Sequence, residues 1–202
     1  MSTIADVRNN LSGPSKEYRD KQLHPVPRCK VVERVKFIVE RCRNQRVLDI
    51  GGSGHLYDRI HAVATEHWAV DHPSMAGKLD RYGVFYLDLD ATHAMLPNRQ
   101  VDVVVCGEVV EHLTKPGHLL DLIRAEYTCP VIITVPNAFS DIGRSHLERG
   151  IENVHYDHKA WYSYHTLKAL LERHKFTIDE FYWYNGRPLF AEGMIAVASA
   201  KR

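Results

Sequence analysis

The sequence predicts a doubly wound α/β fold, a mostly parallel seven-stranded sheet with helices on both faces and an antiparallel terminal strand. Short runs rich in β-branched and aromatic residues recur at 46–50, 67–71, 84–89, 101–106 and 130–135. Helix-like stretches lie between most of them, near 55–66, 73–82 and 116–126. Strands that are apolar along their whole length and alternate with helices indicate a parallel sheet covered on both faces. After the fifth strand the order changes. Ser163 is placed to cap a helix running to about His174, and FTIDEFYWY at 176–184 and MIAVASA at 194–200 follow with no helix between them.

The elements build out from this frame. Val31, Val35, Ile38, Val39 and Cys42 recur at helical spacing, so 28–43 reads as an amphipathic helix leading into the first strand, RVLDI. Residues 1–27, polar and turn-rich around Ser12-Gly13-Pro14-Ser15, read as an N-terminal arm on a single domain spanning 28–202. A chain of 202 residues, 45% apolar and 25% charged, has the make-up of an ordinary globular domain, which excludes fibrous and disordered classes. The apolar runs VDVVVC and VIITV are too short to cross a bilayer, and the polar N-terminus lacks a signal-peptide core, so a cytoplasmic protein without a membrane partner is expected. Cys29, Cys42, Cys106 and Cys129 form no CxxC pair and read as reduced thiols. A net charge of +1 argues against a polyanion as ligand, and the seven basic residues between Arg28 and Arg46, set against Glu33 and Glu40, read as a solvated helix face.

The segment VLDIGGSGH at 47–55 ends a buried strand in a turn where Gly51, Gly52 and Gly54 carry no Cβ, so a ligand can lie against the backbone at the start of a helix. Tight strand-to-helix turns also use glycine for geometry alone. The second strand weighs against that plainer reading. It ends AVD at 69–71, about twenty residues downstream, where nucleotide-binding folds of this class place a carboxylate that accepts from both ribose hydroxyls. A nicotinamide dinucleotide is disfavoured, because its fingerprint wants glycine at the sixth position from Gly52 and Tyr57 stands there.

VLDIGGSG resembles motif I of class I S-adenosylmethionine-dependent methyltransferases, an acidic residue followed by a glycine-rich turn. VDVVVCGEVVEHL at 101–113 is similar to their motif IV, and the closing helix and strand pair is similar to their Rossmann-like end, so the resemblance covers about 46–200. It implies S-adenosyl-L-methionine as cofactor. Asp49 would organise the turn and the cofactor's amino-acid end, and Gly51, Gly52 and Ser53 would form the turn that meets it. Asp71 with the adjoining His72 would serve the ribose, and Asp88 with Leu89 would border the adenine. Asp90 is the alternative to Asp88, since FYLDLD repeats the acid. Ser53 and His55 stand where family turns commonly carry the second and third of three alternating glycines.

Glu108, Glu111 and His112 lie at i, i+3 and i+4, so a helical turn after the fourth strand places all three on one face at the carboxyl end of the sheet. Two carboxylates and an imidazole suit a divalent cation such as Mg²⁺, Mn²⁺, Fe²⁺ or Zn²⁺. The segment resembles the ExxEH motif of the ubiquinone-biosynthetic O-methyltransferases and of the small-RNA 3′-terminal 2′-O-methyltransferases. In the second group a further histidine comes from a downstream segment containing DH, and HYDHKAWYS at 155–163 supplies His158, with His155 as the alternative. The resemblance therefore implies two arrangements. In one, Glu108, Glu111, His112 and His158 ligate a metal ion that lowers a hydroxyl pKa. In the other, without metal, Glu108 touches the cofactor and His112 is the general base. His112 and His158 are the catalytic residues expected.

Substrate choice is expected from the N-terminal arm and from the long connection at 136–162. PN at 136–137 and WYSYHTLKALLERHKF resemble small bacterial methyltransferases acting on secondary metabolites or cell-surface sugars, which implies O-methylation of a small-molecule acceptor. Terminal methylation of RNA is the first alternative, and a non-catalytic S-adenosylmethionine-binding module is the second. Tyr182, Trp183 and Tyr184 are expected in a strand, where one of them can line the acceptor site.

Overall fold

The computed structural model describes residues 24–52, 54, 56–77 and 83–201. Residues 1–23 of the expected arm, Ser53 and His55 of the turn, and 78–82 of the expected third helix lie outside the described residues. In chain order the elements are β1 (Val31–Val32), α1 (Arg34–Cys42), β2 (Arg46–Ile50), α2 (Leu56–His61), β3 (Glu66–Asp71), β4 (Val84–Tyr86), β5 (Val103–Gly107), α3 (Pro116–Glu126), β6 (Val131–Pro136), α4 (Asp141–Leu147), α5 (Tyr164–Arg173), β7 (Phe176–Tyr184) and β8 (Gly193–Ala200). Single 3₁₀ turns occur at Pro73–Met75 and Val110–His112.

The strands form one sheet in the order β1-β7-β8-β6-β5-β2-β3-β4. β8 runs antiparallel to both its neighbours, β6 and β7, and every other pairing is parallel. The expected doubly wound fold is therefore present, with β1 as a two-residue addition at one edge. From β2 the chain passes outward to β3 and β4, then returns to place β5 on the other side of β2. A sheet of this kind binds ligands at such a reversal, at the carboxyl ends of the strands.

Successive residues of β2 and β5 enter opposite cores, which explains their unbroken apolar runs. Leu48, Ile50, Val104 and Cys106 pack with Leu119, Leu120 and Ile123 of α3 and Leu167 and Leu171 of α5. Val47, Val103 and Val105 pack on the other face with Ile38 and Cys42 of α1 and Ile60 of α2. The cysteines are free thiols, and burial pushes Cys42 up to about 12 and Cys106 well above its ordinary value. Among the described residues no helix is long and apolar enough to cross a membrane.

Three expected helices are shorter, and of the one near 73–82 the described residues hold only the 3₁₀ turn Pro73–Met75. The helix expected over 28–43 begins at Arg34, because the Glu33 side chain caps it by accepting from the backbone N–H groups of Val35 and Lys36. The β-branched pair Val31 and Val32 instead lies beside Trp183 and Tyr184 of β7. The helix expected over 55–66 ends at His61. The closing helix follows expectation, with Ser163 as its cap and Thr166 completing a reciprocal capping box. The connection 136–162 holds one helix that periodicity did not reveal, α4, capped by Ser140 and with no buried residue.

Tyr184 and Gly193 face each other in the β7–β8 ladder, and a Cβ at Gly193 would fall 2.1 Å from the Tyr184 ring. The missing side chain lets the ring lie across β8 with only 5% of Tyr184 exposed. Gly193→Ala is expected to cost about 1–3 kcal/mol through overpacking of this buried contact. Urea denaturation measures it, and unchanged stability would show that the ring can move aside.

Candidate active site

β2 and β5 end side by side at the reversal of the sheet. Gly51 leaves β2 at φ +75°, and a Cβ there would lie 2.4 Å from Cγ2 of Val109, so the turn needs glycine both for its backbone and for this close approach. Gly52 is equally constrained: its Cβ would meet the Asp49 carboxyl at 2.5 Å. Asp49 itself is 2% exposed beneath the turn and takes no part in lining the cavity above it.

That cavity, of about 540 Å³, is lined by Gly51, Asp71, His72, Asp88, Leu89, Asp90, Glu108 and His112 together with apolar Met75, Leu87, Val109 and Leu113. Asp71 accepts from the N–H of His72 at 2.7 Å, and the His72 ring accepts from the N–H of Ser74, closing the turn after β3. Asp88 accepts from the N–H of Asp90. Asp90 accepts from the N–H groups of Thr114 and Lys115, which tie it to the segment after motif IV. These bonds outweigh burial and hold its carboxyl below the ordinary value. Ser53, expected in the turn, lies outside the described residues. A cradle that a Cβ would fill, apolar walls, and carboxylates at the ends of two strands fit an adenosine: apolar surface for the base, acceptors for ribose hydroxyls.

The EVVEH segment does not form the expected helical face. Glu108 leaves β5 in the left-handed region, φ +57°, and only Val110–His112 follow as a single 3₁₀ turn, so the three side chains diverge. The Glu108 carboxylate accepts from the hydroxyls of Thr134 at 2.9 Å and Tyr184 at 3.0 Å, with the Arg34 guanidinium 3.8 Å away. Burial pushes the Glu108 carboxyl up against the pull of these three groups. Glu111 is 1% exposed, and neither of its side-chain oxygens meets a hydrogen-bond donor among the described residues. Burial, reinforced by the Glu108 carboxylate, raises its carboxyl well above the usual range.

His112 points instead to the downstream segment. Nitrogen atoms of His112, His155 and His158 lie within 4.8 Å of one another. Asp157 accepts from Nδ1 of His112 at 2.9 Å and also contacts Nδ1 of His155. Burial of the His158 ring, with His112 and His155 beside it, lowers its pKa. The segment is fastened to the 3₁₀ turn, since the Glu111 carbonyl accepts from the N–H groups of Lys159 and Ala160. The expected ligand set Glu108, Glu111, His112 and His158 is thus divided: His112 and His158 meet, His155 joins them, and both carboxylates lie outside that group. Three imidazoles with nitrogen atoms this close fit a divalent cation of the Fe²⁺ or Zn²⁺ kind.

Glu108 also lines a second cavity, of about 400 Å³, with Arg34, Asn137, Ser140, Ile142, Asn153, Trp161, Tyr184 and Glu192. Asn137 belongs to the PN pair at 136–137, and Arg34 carried no signal of its own within the basic stretch 28–46. Asn137 is 3% exposed, and its side chain holds the β6 end by donating to the carbonyls of Leu189 and Ala191.

Residues 18–180 match the family described as methyltransferase domain. No curated protein matches the chain. Among solved structures, the small RNA methyltransferase HEN1 is similar over 89% of this chain and 27% of its own length, with a TM-score of 0.63 and 18% identity. A SAM-dependent methyltransferase from Archaeoglobus fulgidus is similar over 83% of this chain and 94% of its own, with a TM-score of 0.59 and 22% identity. Magnesium protoporphyrin IX methyltransferase from Synechocystis PCC 6803, solved with bound SAH, is similar over 83% and 82%, with a TM-score of 0.58 and 17% identity. This chain spans about a quarter of HEN1, and identities this low concern the fold. The family match runs through most of the chain and agrees with the sheet order and the glycine turn, so the chain belongs to the methyltransferase domain family, as a class I S-adenosylmethionine-dependent methyltransferase.

Proposed function

We propose that this methyltransferase acts on an oxygen atom of a small-molecule acceptor bound in the cavity between Arg34 and Trp161. The observation that carries this reading is Glu108, which forms a wall of both cavities and lies between the cofactor cradle and the second pocket. Methyl transfer is an in-line displacement, so it needs two adjoining compartments and no covalent enzyme nucleophile. The acceptor oxygen forms a bond to the methyl carbon as the carbon–sulfur bond breaks, leaving S-adenosylhomocysteine, and the hydroxyl proton goes to a base.

In the cradle, Asp71 holds the ribose hydroxyls and Asp88, with Leu89, borders the base. Asp88 is preferred to Asp90 because Asp90 is engaged with the backbone of Thr114 and Lys115. His112, His155 and His158 would hold a divalent cation, and Glu111 is the neighbouring carboxylate. When bound, such an ion polarises substrate oxygen and lowers its proton affinity. Asp157 orients His112 through Nδ1. That same pair supports the metal-free reading, in which His112 takes the acceptor's proton and Asp157 steadies the imidazolium.

A small molecule is preferred to RNA because the 136–162 segment carries Asp141, Glu148, Glu152 and Asp157 against Arg144, Arg149 and Lys159, a poor surface for polyphosphate. The fold likeness to HEN1 and the EVVEH and His158 pattern support RNA ends as the second reading. Transfer of labelled methyl groups into fractionated cell extract separates these. Label in a small-molecule fraction is expected, label in RNA would replace the first reading by the second, and no label in any fraction would favour a non-catalytic module.

Two further outcomes are expected. Asp71→Ala weakens S-adenosylmethionine binding by about tenfold or more, as measured by calorimetry on folded protein, because it removes a hydrogen-bonding charge from the ribose site. Metal analysis finds a divalent ion that is lost in His155→Ala and His158→Ala, and chelation abolishes methyl transfer. Full activity in metal-free protein would leave the His112–Asp157 pair as the base.

A further inference from the structure

We propose that His67 is a positioning residue for the cofactor: buried against Asp49, it keeps that carboxylate charged and fixed, and through it holds the Gly51–Gly52 cradle. The inference rests on S-adenosylmethionine being the ligand of that cradle.

The two residues stand on adjacent parallel strands. Val47 pairs with His67 and Asp49 with Ala69, so the side chains of Asp49 and His67 are diagonal neighbours on one face of the sheet. Nε2 of His67 lies 3.7 Å from Oδ2 of Asp49, and the side chains are 1% and 3% exposed. Neither ring nitrogen of His67, nor Oδ2 of Asp49, meets a hydrogen-bond partner among the described residues, so each is the other's nearest polar group of opposite kind. A charge this deep is tolerated only when paired.

The surroundings leave His67 as the group that supports the charge. Burial pushes the Asp49 carboxyl up, His67 pulls it down, and the Asp71 carboxylate at the end of β3 pushes it up again. Cys42 from α1 is a thiol on the Asp49 side of the sheet that burial and the carboxylate keep protonated. From α2, Tyr57 packs on the His67 ring with centroids 4.5 Å apart, and His61 lies behind at 5.7 Å. His67 is the nearest basic side chain to Asp49 among these groups. The Asp49 carboxyl in turn supports the turn directly, since it occupies the space a Gly52 side chain would need. His67 therefore acts through Asp49 and touches no reacting atom.

Ligand-free wild-type, His67→Leu and His67→Gln proteins are compared by carboxyl ¹³C NMR titration of Asp49 and by calorimetry with S-adenosylmethionine, from about pH 5 to 8. In His67→Leu the Asp49 midpoint is expected to rise by about one pH unit or more. Removing a charge-assisted partner should also weaken cofactor binding about tenfold at neutral pH. The deficit grows as pH falls, because more of the Asp49 carboxyl is protonated. His67→Gln, which keeps an N–H donor, recovers part of the affinity. An unchanged midpoint and affinity in His67→Leu would overturn the proposal. If that variant does not fold, His67→Gln decides it: a raised midpoint supports the coupling and an unchanged one refutes it. A raised midpoint in protein whose wild type binds no S-adenosylmethionine would refute the cofactor reading and leave the His67–Asp49 coupling standing.

Discussion

The site depends on how β5 ends. Glu108 takes a left-handed backbone conformation that a residue with a Cβ adopts at some cost, and three contacts hold it there: its N–H donates to the Thr134 carbonyl, and its carboxylate accepts from the hydroxyls of Thr134 and Tyr184. The turn this creates presses Val109 against Gly51 and directs the following residues away from a helix. One backbone reversal thereby sets the floor of the cofactor cavity, the wall of the second cavity and the direction of His112.

The rest of the molecule serves that junction. β6 supplies Thr134, the residue after it is Asn137, and β7 reaches across the antiparallel β8 to deliver Tyr184 because Gly193 leaves room for its ring. Two loops are tied to the same turn by backbone bonds. Asp90 binds the N–H groups of Thr114 and Lys115 on one side, and the Glu111 carbonyl binds Lys159 and Ala160 on the other. The first tie closes the Asp88 side of the cavity, and the second brings His155 and His158 to His112. A rigid scaffold and a set of tethered loops are the arrangement expected for a site whose chemistry is mainly alignment.

The scaffold was legible in the sequence because it rests on burial and capping. Strands such as 46–50 and 176–184 are read from apolar and β-branched content, and α5 from Ser163 at its start. Asp49, Gly51 and Asp71 were legible because a glycine turn and a strand-end carboxylate have fixed spacing in this architecture. The direction of the EVVEH side chains was not. Spacing of i, i+3 and i+4 gives one face only in a continuous helix, and the left-handed Glu108 is stabilised by Thr134 and Tyr184, which lie 26 and 76 residues away in sequence. α4 escaped notice because it buries nothing, and Arg34 because only the packing of α1 brings it to Glu108. Nothing in the sequence marked His67, since its burial follows from packing by Tyr57 and from the register of β2 with β3.

The central claim is that ligand and acceptor meet at the ends of β2 and β5, with Glu108 between them. A crystal structure of the protein with S-adenosylhomocysteine and a divalent cation tests it most directly. The account predicts the ribose at Asp71, the adenine beside Asp88 and Leu89, the sulfur directed toward Glu108, and the ion among His112, His155 and His158. A nucleoside bound elsewhere, or a sulfur directed away from the cavity of Arg34 and Trp161, would contradict it.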